Sequence, residues 1–454
     1  MWFGFPNGQP FIASGPGKGL KLGGNGKWNE GLLIGSDGKL TVAGTGAIKI
    51  PAGTTGQRPG SSVAGDIRFN STSTTLEFYN GSVWVGTNAA PTINSVTGTI
   101  VNGVSGRTLV INCSDISASG NDVKYSNNSN GSVIATDTSP TTSGSNITST
   151  IPAAVFNTAA GTVIKIEVIN SSGVLSQNSV TTTILGAPSG GNITTSGSYR
   201  IHSFTSSGTF VVPSGVTLSN VEYLIVAGGG GGGGSAQGHQ GGGGGAGGLR
   251  TSVVGATSGR GSSAEARQTI TAGSYTVTIG QGGGGASGDR GGDGSNSVFN
   301  GITAIGGGGG GNGQNSGAAR SGSDGGCGGG SGSSDQSFPD RAPGTAGQGY
   351  DGGLPTQQGS GRAGAGGGAG AQGTDPPSGA VPSGNTAGGA GLANSITGSS
   401  VVYAKGGECQ GSGGSAPVGT DGLGEGGTGG YSHGSTSTGR DGGNGIVIVR
   451  YILS

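Results

Sequence analysis

The stretch that decides the fold is Glu222–Gly248, EYLIVAGGGGGGGSAQGHQGGGGGAGG. A short apolar run, Tyr223–Val226, leads directly into seven glycines at Gly228–Gly234, and five more follow at Gly241–Gly245. Of the 113 glycines in the 454-residue chain, 80 lie from Gly228 onward, which makes this half about one-third glycine. Glycine at that level indicates a flexible linker, a phosphate-binding loop or an ordered structure built from glycine itself.

The residues around the glycines disfavour two familiar glycine-rich structures. A dinucleotide-binding fingerprint requires a helix after the glycines, whereas more glycine, a poor helix former, follows here. Collagen requires a strict Gly-X-Y period and abundant proline. These glycines occur in runs and doublets instead, and only seven prolines follow Gly228.

A fully flexible linker is also disfavoured, because strand-like segments bracket the glycine runs repeatedly. Fixing the backbone of 80 glycines costs on the order of 100 kcal/mol. With little apolar surface to offset this cost, nearly every N–H and C=O group must bond to another segment. Helices of polyproline-II geometry have three residues per turn and no internal hydrogen bonds, so bare glycine helices can pair side by side. We expect residues 199–454 to form such a polyglycine-II lattice bracketed by short strands, with disorder and other β arrangements as the alternatives.

The N-terminal part predicts short β segments. Residues 1–65 contain small alternating pieces bounded by glycine, among them LKL at 20–22, KLTV at 39–42 and IKI at 48–50. Strands this short cannot bury a core in one chain. We therefore expect this part to associate with copies of itself.

The middle of the chain also predicts β structure, which makes the whole protein mainly β. Residues 66–89 predict a small β-meander with strands at 67–69, 76–79 and 83–85, because Asn80-Gly81 is a strong hairpin signal. Residues 90–186 predict an immunoglobulin-like β-sandwich, since seven short strands with turn signals fit in about a hundred residues. Residues 187–198 are interpreted as a linker.

Composition and motifs argue against several classes of function. Only 9% of the residues are charged and the net charge is zero, so binding to nucleic acid or to an anionic membrane surface is not expected. No stretch of the sequence approaches the length and apolarity of a transmembrane span, so membrane insertion is not expected. The N-terminus lacks the pattern of a signal peptide, so ordinary secretion is not expected either. GYSHG at 430–434 matches the G-x-S-x-G motif of hydrolases, but the Ser-Thr-Ser-Thr sequence that follows does not predict the helix that the motif requires. The three cysteines are too far apart in the sequence to form a metal pair, and the three histidines show no metal spacing. We expect no catalytic, cofactor-binding or metal-binding residues, and no enzyme activity.

The arrangement of glycine runs and strands resembles the glycine-rich domain of tailed-bacteriophage fibres and adhesins. The resemblance covers Tyr223–Tyr451 and is carried by YLIVAGGGGGGG, GSYTVTIGQGGGG, GSNSVFNGITAIGGGGGG, ITGSSVVYAKGG and GGNGIVIVRY. Upstream, Ile50–Val85 resembles a short cassette of phage fibre and other virion structural proteins. The resemblance implies a polyglycine-II sandwich, a location on the virion, and host recognition by variable loops.

We predict the receptor-binding residues in the segments that interrupt the glycine runs, because polar and aromatic loops on a rigid scaffold commonly bind ligands. The richest is Ser333–Gln358, and Ala371–Thr386 and Gly430–Asp441 are similar. The alternative is that these segments are solvated connections. The candidate residues are Phe338, Asp340, Arg341, Tyr350, Asp351, Gln357, Gln358, Tyr431 and His433.

The expected function is that of a phage fibre or adhesin subunit that attaches the virion to a host cell-surface receptor, protein or glycan. A capsid head fibre or decoration protein is the alternative. Other virion proteins are expected to bind the N-terminal segments. We also expect a homo-oligomer, with a trimer favoured.

Overall fold

The structure is a computed structural model of the chain. It describes residues 2–3, 11–15, 18–23, 31–34, 40–43, 50–72, 75–79, 81–82, 84–86, 90–236, 238–314, 321–334, 340–356, 361–377, 385–412, 416–431 and 436–452. The chain divides into two compact units. One comprises residues 1–93, 113–122 and 168–178, and the other comprises 94–112, 123–167 and 179–454.

The protein is mainly β, as predicted, and its N-terminal part contains two sheets. The strands of the first sheet follow one another in space as in sequence: β1 (Trp2–Phe3), β2 (Phe11–Gly15), β3 (Lys18–Gly23), β4 (Gly31–Ile34) and β5 (Leu40–Ala43). The second sheet has the order β6 (Ala52–Gly53), β7 (Ile67–Asn70), β8 (Thr75–Tyr79), β9 (Trp84–Gly86), and a 3-10 turn lies at Thr55–Gln57. The three predicted meander strands are confirmed as β7, β8 and β9. The predicted IKI strand lies largely outside the described residues.

Residues 92–183 form two four-stranded sheets. One has the order β10 (Thr92–Thr97), β11 (Thr108–Ser114), β15 (Asn146–Thr150), β14 (Thr141–Ser143). The other has the order β13 (Val133–Asp137), β12 (Asp122–Asn127), β16 (Val163–Ile169), β17 (Val180–Thr183), and the short helix α1 is Ala153–Phe156. The buried hydroxyl of Tyr125 in β12 lies 2.7 Å from that of Ser149 in β15, which joins the two sheets through their interior. The seven predicted strands are confirmed, and β14 is an additional one.

A six-stranded sheet organises the C-terminal half. Its strands are β18 (Asn192–Ser196), β19 (Tyr199–Phe204), β29 (Ile446–Ile452), β21 (Leu218–Val226), β22 (Leu249–Thr251), in that order, with β23 (Gln268–Ile270) paired to β21. The central strand β29 is antiparallel to both β19 and β21. Because side chains alternate across a strand, its two faces pack into different cores. Val447, Val449 and Tyr451 lie in one core, and Ile446 and Ile448 lie in the other.

Smaller elements complete this half. A four-stranded sheet has the order β20 (Gly208–Val212), β24 (Gly273–Thr278), β25 (Ser297–Phe299), β26 (Ile302–Ala304). A hairpin pairs β27 (Leu392–Asn394) with β28 (Val401–Tyr403), and a 3-10 turn lies at Gly259–Gly261. No helix within the described residues is long and apolar enough to cross a membrane.

The interpretation of residues 187–198 as a linker needs correction. Five residues of this segment form β18, which pairs with β19 from Asn192 to Ser196. Gly190 and Gly191, both with positive φ, precede the strand. An added Cβ at either one would meet a carbonyl oxygen at less than 3.0 Å. These glycines therefore form a tight entry to the sheet.

The glycine run 228–234 is fully buried and exchanges backbone hydrogen bonds with six other segments in a period of three residues. Successive N–H groups donate to three different segments, at 2.8–3.1 Å, and those segments run antiparallel to it. Successive C=O groups accept from three further segments, which run parallel. Gly228, Gly231 and Gly234 donate to the carbonyls of Ser295, Gly292 and Asp289, respectively. Gly229 and Gly232 donate to those of Gly443 and Arg440, and Gly230 and Gly233 donate to those of Gly245 and Gly242. The carbonyls of Gly228, Gly231 and Gly234 accept from the amides of Gly307, Gly310 and Gly313, respectively. Those of Gly229 and Gly232 accept from Gly283 and Ala286, and those of Gly230 and Gly233 accept from Gly427 and Gly430.

This close approach leaves no room for a side chain. A Cβ atom added to any glycine of run 228–234 would meet backbone atoms of a neighbouring run far inside 3.0 Å, a separation that real Cβ atoms essentially never show. The interior of this region is therefore made of backbone, and it excludes every residue larger than glycine at these positions.

Candidate functional site

The bundle of glycine runs has two chemically different ends. Run 228–235 leaves the six-stranded sheet after Val226, and run 240–248 returns to it at Leu249, which pairs with Val226. Residues 441–445 likewise return the chain to the sheet, at the start of β29. We call this the sheet end and the opposite one the distal end.

Contacts between small polar residues mark the distal end. Ser235 forms backbone β-bridges with Gly313 and Ser437. The backbone amide of Gln240 donates to Ser333 Oγ at 2.8 Å. The thiol of Cys409 lies 3.3 Å from Gln240 Oε1, and Cys409 itself pairs with Thr386 and Gly429. We define these contacting residues as the distal layer: Ser235, Gln240, Gly313, Ser333, Thr386, Cys409, Gly429 and Ser437.

The predicted loop Ser333–Gln358 is not a single loop. Ser333 belongs to the distal layer, whereas Gln348 lies at the sheet end, where its carbonyl accepts from Leu249 of β22 at 3.0 Å. Its side-chain oxygen accepts from the Ile305 amide at 2.8 Å. The segment therefore runs the length of the bundle and turns back, so its candidate residues lie at different levels.

Tyr350 and Asp351 lie near the sheet end and contact Arg260. The Arg260 guanidinium pairs with Asp351 at 2.7 Å and lies 5.6 Å from the centre of the Tyr350 ring. Asp351 also accepts from the Gly344 amide at 2.9 Å. Partial burial raises the pKa of Asp351, but the hydrogen bonds from Arg260 and Gly344 outweigh it, so the pKa lies below the usual value. This carboxylate holds neighbouring segments together in its charged form.

Arg341 and Asp375 form a second ion pair. Arg341 donates to both oxygens of Asp375, at 2.9 and 2.7 Å, and to the Gly352 carbonyl at 2.6 Å. Asp375 also accepts from the Leu354 amide at 2.8 Å. Burial raises the pKa of Asp375, and the bonds from Arg341 and Leu354 lower it further than burial raises it. Arg341 thus connects three segments of the bundle.

The remaining candidates lie elsewhere. Tyr431 is half-buried at the distal end, directly after Gly430, whose amide donates to Gly233. Asp340 is exposed, and its carbonyl accepts from Ser331 Oγ at 3.5 Å. Four candidates lie outside the described residues: Phe338, Gln357, Gln358 and His433.

The three cysteines, Cys113, Cys327 and Cys409, are unpaired and buried. Burial raises the pKa of Cys113 to about 11 and the pKa of Cys327 and Cys409 to about 12. Because the thiolate is the reactive form of cysteine, these thiols are inert at neutral pH.

Sequence reasoning missed Arg260 and Asp375. Each is bonded to a predicted candidate across a long stretch of chain, 91 residues for Arg260 and Asp351 and 34 for Arg341 and Asp375. A single arginine or aspartate among glycines gives no local signal of its partner.

Fold and site together define a mainly β protein. In its glycine-rich half, closely packed backbone segments form a bundle, and the connections between these segments lie at its ends. Residues 205–452 match the family model of a glycine-rich domain. The match covers more than half of the chain, and the protein therefore belongs to the glycine-rich domain family. A comparison with curated proteins found no match to the chain.

Proposed function

We propose that the glycine runs within residues 199–454 form a polyglycine-II lattice. The support is the hydrogen bonding of run 228–234, whose partners change with a period of three residues. A β-strand pairs with two neighbours at most, and its side chains alternate with a period of two. A helix of three residues per turn without internal hydrogen bonds directs its backbone groups outward on all sides. Six neighbouring segments around one run fit that geometry.

We propose that residues 90–186 form an immunoglobulin-like sandwich. If β10 to β17 are lettered along the chain as A, B, C, C′, D, E, F and G, the two sheets have the orders A-B-E-D and C′-C-F-G. These are the strand orders of immunoglobulin-type sandwiches. The buried contact between Tyr125 and Ser149 adds support, since it joins the two sheets through their interior.

We propose that the chain is a subunit of a bacteriophage fibre or adhesin, located on the virion, that presents distal connections to a receptor on the host cell surface. The observation that carries this proposal is the difference between the two ends of the bundle. The six-stranded sheet lies at one end, and a largely buried layer of small polar residues, the distal layer, lies beneath the connections at the other. Loops held by a rigid scaffold are common binding sites. Because the core consists of glycine backbone, sequence variation is confined to the connections between the runs.

The carboxylates among and around the described candidates do not support a catalytic role. Asp351 and Asp375 are each held by an arginine and by a backbone amide. Carboxylates that are engaged in this way, with pKa values below the usual range, are poor general acids at neutral pH. We therefore assign these side chains to the scaffold.

Adsorption competition with the purified full chain tests the proposal. Saturating protein should prevent the parent phage from adsorbing to its host. Tyr431→Ala, at the distal end, should compete less well than the unchanged protein. Tyr350→Ala, at the sheet end, is the matched control and should compete fully. Complete adsorption in the presence of saturating unchanged protein would contradict an attachment role.

Immunogold labelling of the particle tests the location. Label on the tail supports the fibre or adhesin. Label on the capsid without competition for adsorption supports the alternative, a head fibre or decoration protein. A particle that carries no label would contradict both.

A further inference from the structure

A cleft of about 270 Å³ opens beside the sheet of strands β6 to β9, in the compact unit that contains residues 1–93. Strand β6 pairs with β7 only at Phe69 and Asn70. The side of β7 that faces β6 is therefore left open at Ile67 and Arg68, and the cleft lies between these two residues and Pro51. Its volume is slightly below the range of about 300–1,000 Å³ that is usual for small-molecule sites, which suits a ligand of one ring.

Most of the wall of this cleft is apolar and accessible. Ile67 is 52% exposed, whereas Arg68 and Glu77, on the other face of the same two strands, are buried. A single exposed isoleucine would need no explanation. Here, however, five of the eight residues around the cleft form one apolar surface that no described side chain covers: Pro51, Ala52, Pro59, Ile67 and Trp84.

Trp84 is held in place by two neighbours. Its ring is half-buried, with the centre of the Tyr79 ring at 5.6 Å and the Arg68 guanidinium at 5.8 Å. A ligand that packs against this ring therefore has little side-chain freedom to remove, which favours binding.

Two polar side chains at the cleft are fixed by one bond each and keep a second group available. Asp66 Oδ2 accepts from the Val63 amide at 3.0 Å, and Gln57 Oε1 accepts from the Thr54 amide at 2.8 Å. Asp66 Oδ1 and Gln57 Nε2 form no hydrogen bond within the described part of the chain. Because Asp66 is half-buried and Gln57 is exposed, the cleft offers one acceptor and one donor to a ligand.

The charges in and beside the cleft cancel. Arg58 and Arg68 approach Glu77, at 2.5 and 3.9 Å, and Asp66 supplies a second negative charge. With two positive and two negative side chains, a ligand has no net charge to neutralise. This balance favours a neutral ligand over a phosphate, a sulfate or an ammonium group.

We propose that the cleft binds a neutral sugar residue. A pyranose ring has an apolar C–H face, which packs against Ile67 and Trp84. Its hydroxyl groups both donate and accept, so one hydroxyl donates to Asp66 Oδ1 and another accepts from Gln57 Nε2. A wall that is largely apolar, with a few placed polar groups, is the usual composition of such sites. This inference is independent of the attachment function of the glycine-rich half.

The sugar has two possible sources, a free monosaccharide or a residue of a polysaccharide. Saturation-transfer NMR of the full chain measures binding of the methyl glycosides of glucose, galactose, mannose and N-acetylglucosamine. Protons on the C–H face of the ring should receive the strongest saturation. Surface-immobilised dextran and mannan, with a bare surface as the reference, measure binding of the polymer.

Asp66→Asn should weaken binding about tenfold or more, because a hydrogen bond to a charged acceptor is lost. Gln57→Glu keeps the acceptor for Thr54 but removes the donor, and should weaken binding about fivefold. Ile67→Ser should also weaken binding about fivefold, through lost apolar contact. Leu76→Ser is the matched control, since Leu76 is 37% exposed on the same sheet but lies outside the cleft, and it should bind as the unchanged protein does. Circular dichroism verifies that each variant is folded.

Binding of a methyl glycoside that weakens in the three cleft variants supports the proposal and identifies a single sugar as a sufficient ligand. Binding of dextran or mannan alone, weakened in the same variants, also supports it and identifies a polymer. If none of these probes binds the unchanged protein, or if the cleft variants bind as well as Leu76→Ser, the assignment is wrong.

Discussion

Gly309 shows at the scale of one residue why the bundle is built from glycine. A Cβ atom here would meet the carbonyl oxygen of Gly291 well inside 3.0 Å. Neither residue can move away alone. Gly309 donates to Asp293 Oδ1 at 2.8 Å and accepts from the Ser323 amide, and Gly291 donates to the Gly310 carbonyl at 2.9 Å. We expect Gly309→Ala to lower the free energy of unfolding by about 1–3 kcal/mol, the usual cost of overpacking. Guanidinium denaturation followed by circular dichroism measures it.

Gly284 provides the matched control. It lies in the glycine run 282–285 but is exposed, and the nearest atom to an added Cβ is Asp441 Oδ1 at 4.0 Å. Gly284→Ala should leave stability unchanged or raise it by up to about 1 kcal/mol, since alanine restricts the unfolded chain more than glycine does. Equal losses in the two variants would show that close packing is not the cause.

His202 makes the stability of the sheet depend on pH. Burial lowers its pKa from 6.5 to about 4 in the folded protein, so folding favours the neutral ring. The stabilisation is complete above pH 6.5 and is lost as the pH falls from 6.5 towards 4, by about 3 kcal/mol in all. In His202→Gln, which does not titrate, this part of the pH dependence should disappear. Urea denaturation at intervals between pH 7 and 4 measures it, and an unchanged dependence in the variant would contradict the assignment.

At the scale of elements, the sequence predicted the ordinary strands well. Alternating residues such as Ile67, Arg68, Phe69 and Asn70 show the period of two that defines a strand, and β7 covers these four residues. The same pattern anticipated the seven strands predicted within residues 90–186. Local periodicity was sufficient in these regions because each strand differs from its neighbours in side chains.

The pairing of glycine runs could not be predicted, because every glycine presents the same backbone. Specific side chains at the edges supply register instead. Asn444 Oδ1 accepts from the Gly282 amide at 2.9 Å, and Asp441 Oδ1 accepts from the Gly285 amide at 2.7 Å. These oxygens occupy the place that a carbonyl of another run would take. Their partners lie about 160 residues away in sequence, so no local pattern reveals them.

The candidate site was predictable only in part, for the same reason. The sequence identified the side-chain-rich segments between the runs, but it could not show that Ser333 and Gln348 lie at opposite ends of the bundle. That separation depends on the number of residues that each run needs to cross the bundle. The turns between runs lie in glycine-rich sequence, where no periodic pattern indicates their positions. The ion pair of Arg260 with Asp351 was hidden in the same way.

The backbone interior of the glycine-rich half has a consequence for the thermodynamics of the whole molecule. Exposing apolar surface on unfolding raises the heat capacity, whereas exposing polar surface lowers it. An ordinary globular chain of 454 residues would have a heat-capacity change of about 5–7 kcal/mol/K. Here much of the newly exposed surface is amide backbone from buried glycine runs, so we expect a value clearly below that range.

Scanning calorimetry at several pH values gives the heat-capacity change as the slope of unfolding enthalpy against Tm. Tryptophan fluorescence is unsuitable as the probe, since Trp2, Trp28 and Trp84 all precede the glycine-rich half. The fall in stability expected from His202 below pH 6.5 supplies the spread in Tm that the slope requires. A heat-capacity change inside the ordinary range would mean that apolar side chains, rather than backbone hydrogen bonds, dominate the interior.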